Sequence, residues 1–305
     1  MKRKALLVII VAIIGSLVLS MPVLAAGEKE ADCDIFVGEG LPMFVAATSW
    51  GAPPFVWVDG KGHFVGFDAD VLRSIAIIEK FNLGVPLDMD FAGLIPALAA
   101  GKYDIFFGFI TITEERAKII EYSDPYWEST YLTLVRKDSG LNGVTALCCG
   151  SKVGVQGGTT QHIIVNKLAE RGTGIVPAVY DRFILSLMDL LNGRIDAILL
   201  DTPFGNQFLK KHPDELKKVG MLFTGELTGM AVQKGDPKGI LPRLNSGFKR
   251  LKKMGIWDHL ANAYMTGDLE KITDAFSQCG HLLLEKKDPL AYAKRLEELM
   301  TAGAE

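Results

Sequence analysis

Along most of the chain, short apolar runs alternate with stretches in which apolar residues recur every three or four positions, the pattern of an α/β protein. Strands are predicted over residues 43–48, 104–109, 152–155, 175–179, 196–200 and 229–233. Phe55 to Val58 and His63 to Val65 flank Asp59-Gly60-Lys61-Gly62, a turn of the Asp-Gly kind, so these segments form a hairpin. Asp68 is placed to cap a helix over 69–81, where Val71, Leu72, Ile75 and Ile78 keep helical spacing. Further helices are predicted over 94–100, 114–120, 160–171, 182–191, 203–211, 240–253 and 256–265. The strand–helix rhythm occurs in two sets joined through the middle of the chain, which predicts two lobes. Residues 267–305 are charged and periodic and predict one or two more helices.

The first residues follow another rule. Lys2, Arg3 and Lys4 precede an uncharged apolar run from Ala5 to about Ala26 that ends in small residues. A positive start, an apolar stretch and a small-residue exit describe a secretory signal peptide over residues 1–26. The run also approaches membrane-spanning length, so an uncleaved anchor is the alternative. Ser16, Ser20 and Pro22 near its end favour cleavage. No Cys follows directly, which argues against a lipid-anchored N-terminus.

Removing the three leader cations leaves 30 of 33 basic residues against 36 acidic, a net charge near −6. With no basic run interleaved with aromatics, nucleic acid is a poor partner. Four cysteines in an exported chain permit disulfides. Cys148 and Cys149 are neighbours, which rarely bridge each other; one of them pairing with Cys33 or Cys279 is expected. No Cys-x-x-Cys spacing occurs and the five His are scattered, so neither a metal nor another cofactor is expected.

Three strand ends carry chemistry. Thr111-Ile-Thr-Glu-Glu-Arg116 follows the strand at 104–109, where helix N–H groups attract anions and Arg116 can hold a carboxylate with two parallel hydrogen bonds. In Gly154-Val-Gln-Gly-Gly-Thr-Thr160, Gly158 lets the backbone approach a ligand, and Thr159 and Thr160 add hydroxyls. The phosphate-loop lysine is missing there, so nucleotide binding is not indicated. Asp201 ends the strand at 196–200, the position from which open α/β sheets contact ligands, and it can pair with an ammonium. Each of these residues also has a plain alternative as a helix cap or surface group. Trp50 and Phe91 sit in loops after strands, where they can wall a ligand; Phe55 and Trp57 are expected in the core.

A carboxylate clamp, an amino acceptor and apolar walls describe an α-amino-acid site. The ordered motifs Trp50-Gly-Ala-Pro-Pro-Phe, Gly66-Phe-Asp-Ala-Asp70, Phe91-Ala-Gly-Leu-Ile-Pro-Ala-Leu98, Thr111-Ile-Thr-Glu-Glu-Arg116, Tyr122-Ser-Asp-Pro-Tyr126, Val153 to Thr160 and Gly193-Arg-Ile-Asp-Ala-Ile-Leu-Leu-Asp201 resemble those of family 3 bacterial extracellular solute-binding proteins. The resemblance runs from about Val45 to Met265. It implies a two-lobed, type II periplasmic-binding-protein fold with the ligand in the cleft. It assigns residues 34–129 and 230–266 to lobe 1, 130–229 to lobe 2, and 267–305 to a helical extension beyond the family's usual end. It also implies that Arg116 grips the α-carboxylate with help from Thr111 and Thr160, that Asp201 takes the α-ammonium and that Phe91 packs on the side chain. The implied partners are an amino-acid ligand and the membrane permease of an ABC importer, with the protein periplasmic.

Two departures bear on the ligand. Ala52 stands where the family usually has an aromatic, and Phe109 replaces a small residue beside the ligand anion. Two rival functions are a dehydratase acting on prephenate-like acids, as some proteins resembling this family are, and a periplasmic sensor or scaffold whose tail docks a partner. The dehydratase needs a general acid in the cleft, and neither Glu114, Glu115 nor Glu128 is well placed for that.

Overall fold

The computed structural model describes residues 33–35, 37–59, 64–269, 271 and 287–302. The leader at 1–26 and Cys279 lie outside them, as does the tip of the hairpin turn at 60–63. The fold is two-lobed α/β, built on a nine-stranded mixed sheet. Its strands are β1 (Ala46–Thr48), β2 (Leu87–Asp88), β3 (Ile105–Thr111), β4 (Ile120–Tyr122), β5 (Trp127–Arg136), β6 (Lys152–Gln156), β7 (Val176–Tyr180), β8 (Ala197–Asp201) and β9 (Leu216–Gln233). The spatial order is β7-β6-β8-β5-β9-β3-β1-β2, with β4 also paired to β9. Strands β7, β6 and β8 are parallel, as are β3, β1 and β2.

Between these parallel sets, β5 and β9 run antiparallel to each other and to their outer neighbours. The first half of β9 pairs along β5 up to Phe223, and its last part pairs with β3 and β4. Between Phe223 and Leu227 three residues stand opposite Ser129 alone, so the ladder bulges there. Of the two crossing strands, only the last part of β9, at 229–233, is evident from an apolar run. In β9, Lys217, Lys218, Thr224 and Glu226 interrupt the pattern because only its two ends are buried, whereas β5 is buried from Tyr131 to Val135, with Thr133 breaking its apolar run.

Nine described helices flank the sheets: α1 (Phe67–Glu79), α2 (Phe91–Ala99), α3 (Glu114–Ala117), α4 (Thr160–Glu170), α5 (Phe183–Leu191), α6 (Thr202–Lys211), α7 (Leu241–Lys253), α8 (Ile256–Thr266) and α9 (Pro289–Thr301). Around β8 the two-residue alternation sorts side chains to opposite faces. Ala197 and Leu199 join Val153, Val155 and Val165, whereas Ile198 and Leu200 join Leu132, Leu187 and Phe204. Both faces are therefore covered, as parallel strands require.

Asp68 does not cap α1. The N-cap position is Gly66, and the buried Asp68 reaches away to the β3 backbone instead. The tail is part of the core rather than an appendage. On α9, Tyr292, Ala293, Leu296 and Met300 are buried. The Tyr292 and Tyr264 hydroxyls both donate to Asp70, which also pairs with Arg73 at 3.1 Å.

The expected long-range disulfide is not what the structure shows. Cys148 and Cys149 are bonded to each other. Cys149 takes φ +60°, and the following Gly150 φ +92°, in a turn pinned by Cys149 N–H to Thr173 and Gly150 N–H to Gly174. That turn brings neighbouring sulfurs to one side, a geometry the sequence does not announce. Among the described residues, no helix is long and apolar enough to cross a membrane, and no His, Cys, Asp and Glu cluster could hold a metal.

Candidate functional site

Three strand ends and the loop after β1 converge on one pocket. From β3 and α3 come Gly108, Phe109, Thr111 and Arg116; from β6 and α4 come Gln156, Thr159, Thr160 and Gln161. Asp201 ends β8, and Phe91, Phe183 and Phe204 begin or follow the adjoining helices. Ser49 and Ala52 close the rim.

Arg116 is buried although it is charged, because neighbouring carbonyls receive its guanidinium. It donates to Thr111 O at 2.8 Å and, across the cleft, to Gly158 O at 2.9 Å. The guanidinium lies 5.5 Å from the centre of the Phe91 ring, a cation–π distance. Two of its five N–H groups are so engaged, which leaves donors for an anion. The Thr113 hydroxyl caps α3 by accepting Arg116 N–H, and this fixes the start of the side chain.

Asp201 occupies the N-cap position of α6, yet its side chain makes no capping bond. Its Oδ2 accepts from Gln161 Nε2 at 2.8 Å. Its Oδ1 is buried and accepts from no other residue. Burial pushes the carboxyl up to about 7, against the lowering influence of Gln161 and Arg116. A carboxylate with one unpartnered oxygen, sharing a pocket with a cationic guanidinium, has the chemistry to receive a ligand carrying both charges.

The threonines divide their work. Thr159 Oγ1 donates to Gln156 O at 2.7 Å and accepts His162 N–H, so its hydroxyl serves the turn into α4. Thr160 Oγ1 is 2.8 Å from the Tyr131 hydroxyl, which donates to Glu226 at 2.5 Å. That chain runs from the pocket to the bulge of β9. Gly158 offers its carbonyl to Arg116, and its φ of +79° and the Ala92 Cα only 2.9 Å from any added β-carbon require glycine there. Trp50 is not among the residues that line the pocket. Its ring packs on Phe64 at 5.2 Å, and its carbonyl accepts from Arg182.

Several lining residues carry no sequence signal of their own: Ser49, Gln156, Gln161, Phe183 and Phe204. Phe183 and Phe204 read as ordinary apolar helix positions. The register of α5 and α6 against β8 alone turns them into the pocket. A second, wider groove bounded by Trp57, Leu187, Phe208 and Lys211 has no comparable pair of opposed buried charges.

Residues 44–267 match the bacterial extracellular solute-binding proteins, family 3. The chain belongs to that family. An Escherichia coli (strain K12) protein named putative ABC transporter arginine-binding protein 2 is 32% identical over 225 residues, which cover 72% of this chain and 88% of that one. A solved ancestral arginine-binding protein bound to arginine superposes with a TM-score of 0.68 at 35% identity, covering 73% of this chain and 97% of its own. An ancestral amino-acid-binding protein described as a precursor of cyclohexadienyl dehydratase superposes at 0.65 with 28% identity, covering 73% and 95%. The solute-binding role is thereby established at the level of the family.

Proposed function

We propose that this chain binds a free α-amino acid, or a close analogue, in the periplasm and delivers it to the membrane permease of an ABC importer. One observation carries the reading: the buried Asp201, with an unpartnered oxygen, shares a pocket of phenylalanines with Arg116. Arg116 holds the α-carboxylate with the Thr111 and Thr160 segments, and Asp201 holds the α-ammonium. Residues 34–129 and 230–266 form lobe 1 and 130–229 form lobe 2, with β5 and the β9 bulge as the hinge. Residues 1–26 act as the export signal. The names of the relatives support an amino-acid ligand.

The raised Asp201 carboxyl also favours a second reading, because a dehydratase needs a protonated acid in its cleft. Incubation with prephenate separates the two: turnover lost in Asp201→Asn would make the chain an enzyme. For the binding reading, a thermal-shift screen of the mature protein against the common amino acids is expected to find a stabilising ligand. Arg116→Ala and Asp201→Ala are each expected to weaken that ligand at least about a hundredfold in calorimetry, since each strands an opposite charge of the ligand. Full binding by Asp201→Ala would instead mean a plain carboxylate ligand.

A further inference from the structure

We infer that the ligand's side chain is short, uncharged and apolar, and that Phe109 sets its length; this rests on the amino-acid reading above. Among the described residues, Arg116 and Asp201 are the charged side chains of the pocket. The two α-groups of an amino acid use both. A third charge would then meet Ala52, Phe109, Phe183 and Phe204 and uncharged polar side chains such as Ser49 and Gln156, with no opposite charge, and an unpaired charge in a closed site is strongly disfavoured.

The rings are not set as an open slot for a flat cation. Phe55 covers Phe109 with centroids 4.0 Å apart, and Phe204 meets both of them edge-on at 5.4 and 5.9 Å. Phe183 extends the cluster to the other side of Phe204 at 5.5 Å. This end of the pocket is a packed aromatic wall.

Phe109 reaches that wall from an unusual backbone. Its φ of +62° belongs to the left-handed region, which a bulky residue with a β-carbon enters only under constraint. The constraint is Asp68, whose Oδ2 accepts Gly108 N–H at 3.1 Å and Phe109 N–H at 2.7 Å. A large ring held on a strained corner that borders a ligand pocket points to a role in that pocket. The ring borders the pocket, and in the inferred pose, with the side chain directed at the aromatic wall and away from Arg116, a longer ligand side chain would meet it.

Calorimetry on the mature wild type and on Phe109→Gly, with L-alanine, L-valine, L-phenylalanine, L-arginine and L-glutamate as probes, tests this. Glycine suits the left-handed backbone, so the variant keeps its corner while losing the ring. Wild type is expected to bind alanine or valine at least tenfold tighter than arginine, glutamate and phenylalanine. Phe109→Gly is expected to shift the preference toward phenylalanine over alanine by at least tenfold. Smaller preferences in wild type, an unchanged profile in Phe109→Gly, or no binding of alanine and valine would overturn the inference. In the first two cases the amino-acid reading stands; in the third, the wider amino-acid screen decides its fate separately.

Discussion

Asp68 and Asp201 are both buried aspartates, each with one oxygen that accepts from no other residue, and burial raises both, to about 6 and about 7. They differ in what surrounds them. Asp68 Oδ2 gathers three donors: the N–H groups of Gly108 and Phe109, and the Tyr126 hydroxyl at 2.6 Å. From other residues Asp201 receives Gln161 alone, and it borders the pocket. A raised carboxyl therefore does not by itself find a site. The carboxyl whose donors come from its own fold is structural, and the one left short of donors beside a cavity is available to a ligand.

The largest expected difference is in folding. Asp68→Ala leaves three buried donors without an acceptor, which costs about 1–3 kcal/mol each. At pH 5, where little charge is buried at Asp68, a loss of at least about 3 kcal/mol is expected, and with it a fall in melting temperature of roughly 6–12 °C. Asp201→Ala in ligand-free protein is expected to leave the melting temperature near wild type at pH 5. At pH 8 it should raise it: a carboxyl whose folded pKa lies above its unfolded value loses stability as pH climbs from about 4 through about 7. Thermal melts of both variants at the two pH values check this, and equal losses in both would erase the distinction.

A second consequence concerns the ligand. An ammonium needs Asp201 ionised, so acid must compete with binding. Affinity is expected to fall about tenfold per pH unit below about 7, with about half a proton released on binding at pH 7. Calorimetry in buffers of different ionisation enthalpy measures both quantities. Binding that strengthens on acidification would mean that the ligand accepts a hydrogen bond from a protonated Asp201, as a plain acid would.

The comparison also shows how far the sequence reaches. Arg116 and Asp201 could be picked out because each follows a strand end, where side chains face ligands in α/β folds. The elements that carry them are legible because their apolar periods are regular. Asp68 is misread as a cap because an Asp at the start of an apolar helix looks the same whether it bonds its own helix or a strand forty residues away. Most of β9 escapes notice because no residue from Lys217 to Leu227 is buried, and β5 because Thr130 and Thr133 break its apolar run although most of it is buried. The Cys148–Cys149 bridge escapes because it depends on a left-handed turn.

The smallest expected effect lies at the rim of the cleft, with Arg182. It stands just before α5, in the segment 130–229, and reaches Asp88 and Asp90 in the segment 34–129. Its guanidinium meets both oxygens of Asp88 at 2.7 and 3.1 Å, Asp90 at 3.1 Å, and the carbonyl of Trp50 at 3.3 Å. Arg182 also donates to the Ser49 hydroxyl at 3.2 Å, at the edge of the pocket, whereas Asp88, Asp90 and Trp50 do not line it, so the ion pairs can favour closure without touching the ligand. Partly exposed pairs of this kind are worth about 0.2–1 kcal/mol each, although the two-pronged geometry lifts Arg182 above an isolated pair. Arg182→Ala is therefore expected to weaken binding only about three- to tenfold. The change should appear in a faster off-rate, because contacts made after closure hold the ligand in rather than guide it there. Salt screens exposed pairs, so raising the ionic strength should weaken wild type toward the variant and leave the variant nearly unchanged. Stopped-flow release of the ligand at low and high salt measures both effects. An off-rate in Arg182→Ala equal to wild type at low salt would remove the rim from the closing mechanism and leave Arg116 and Asp201 to hold the lobes together through the ligand.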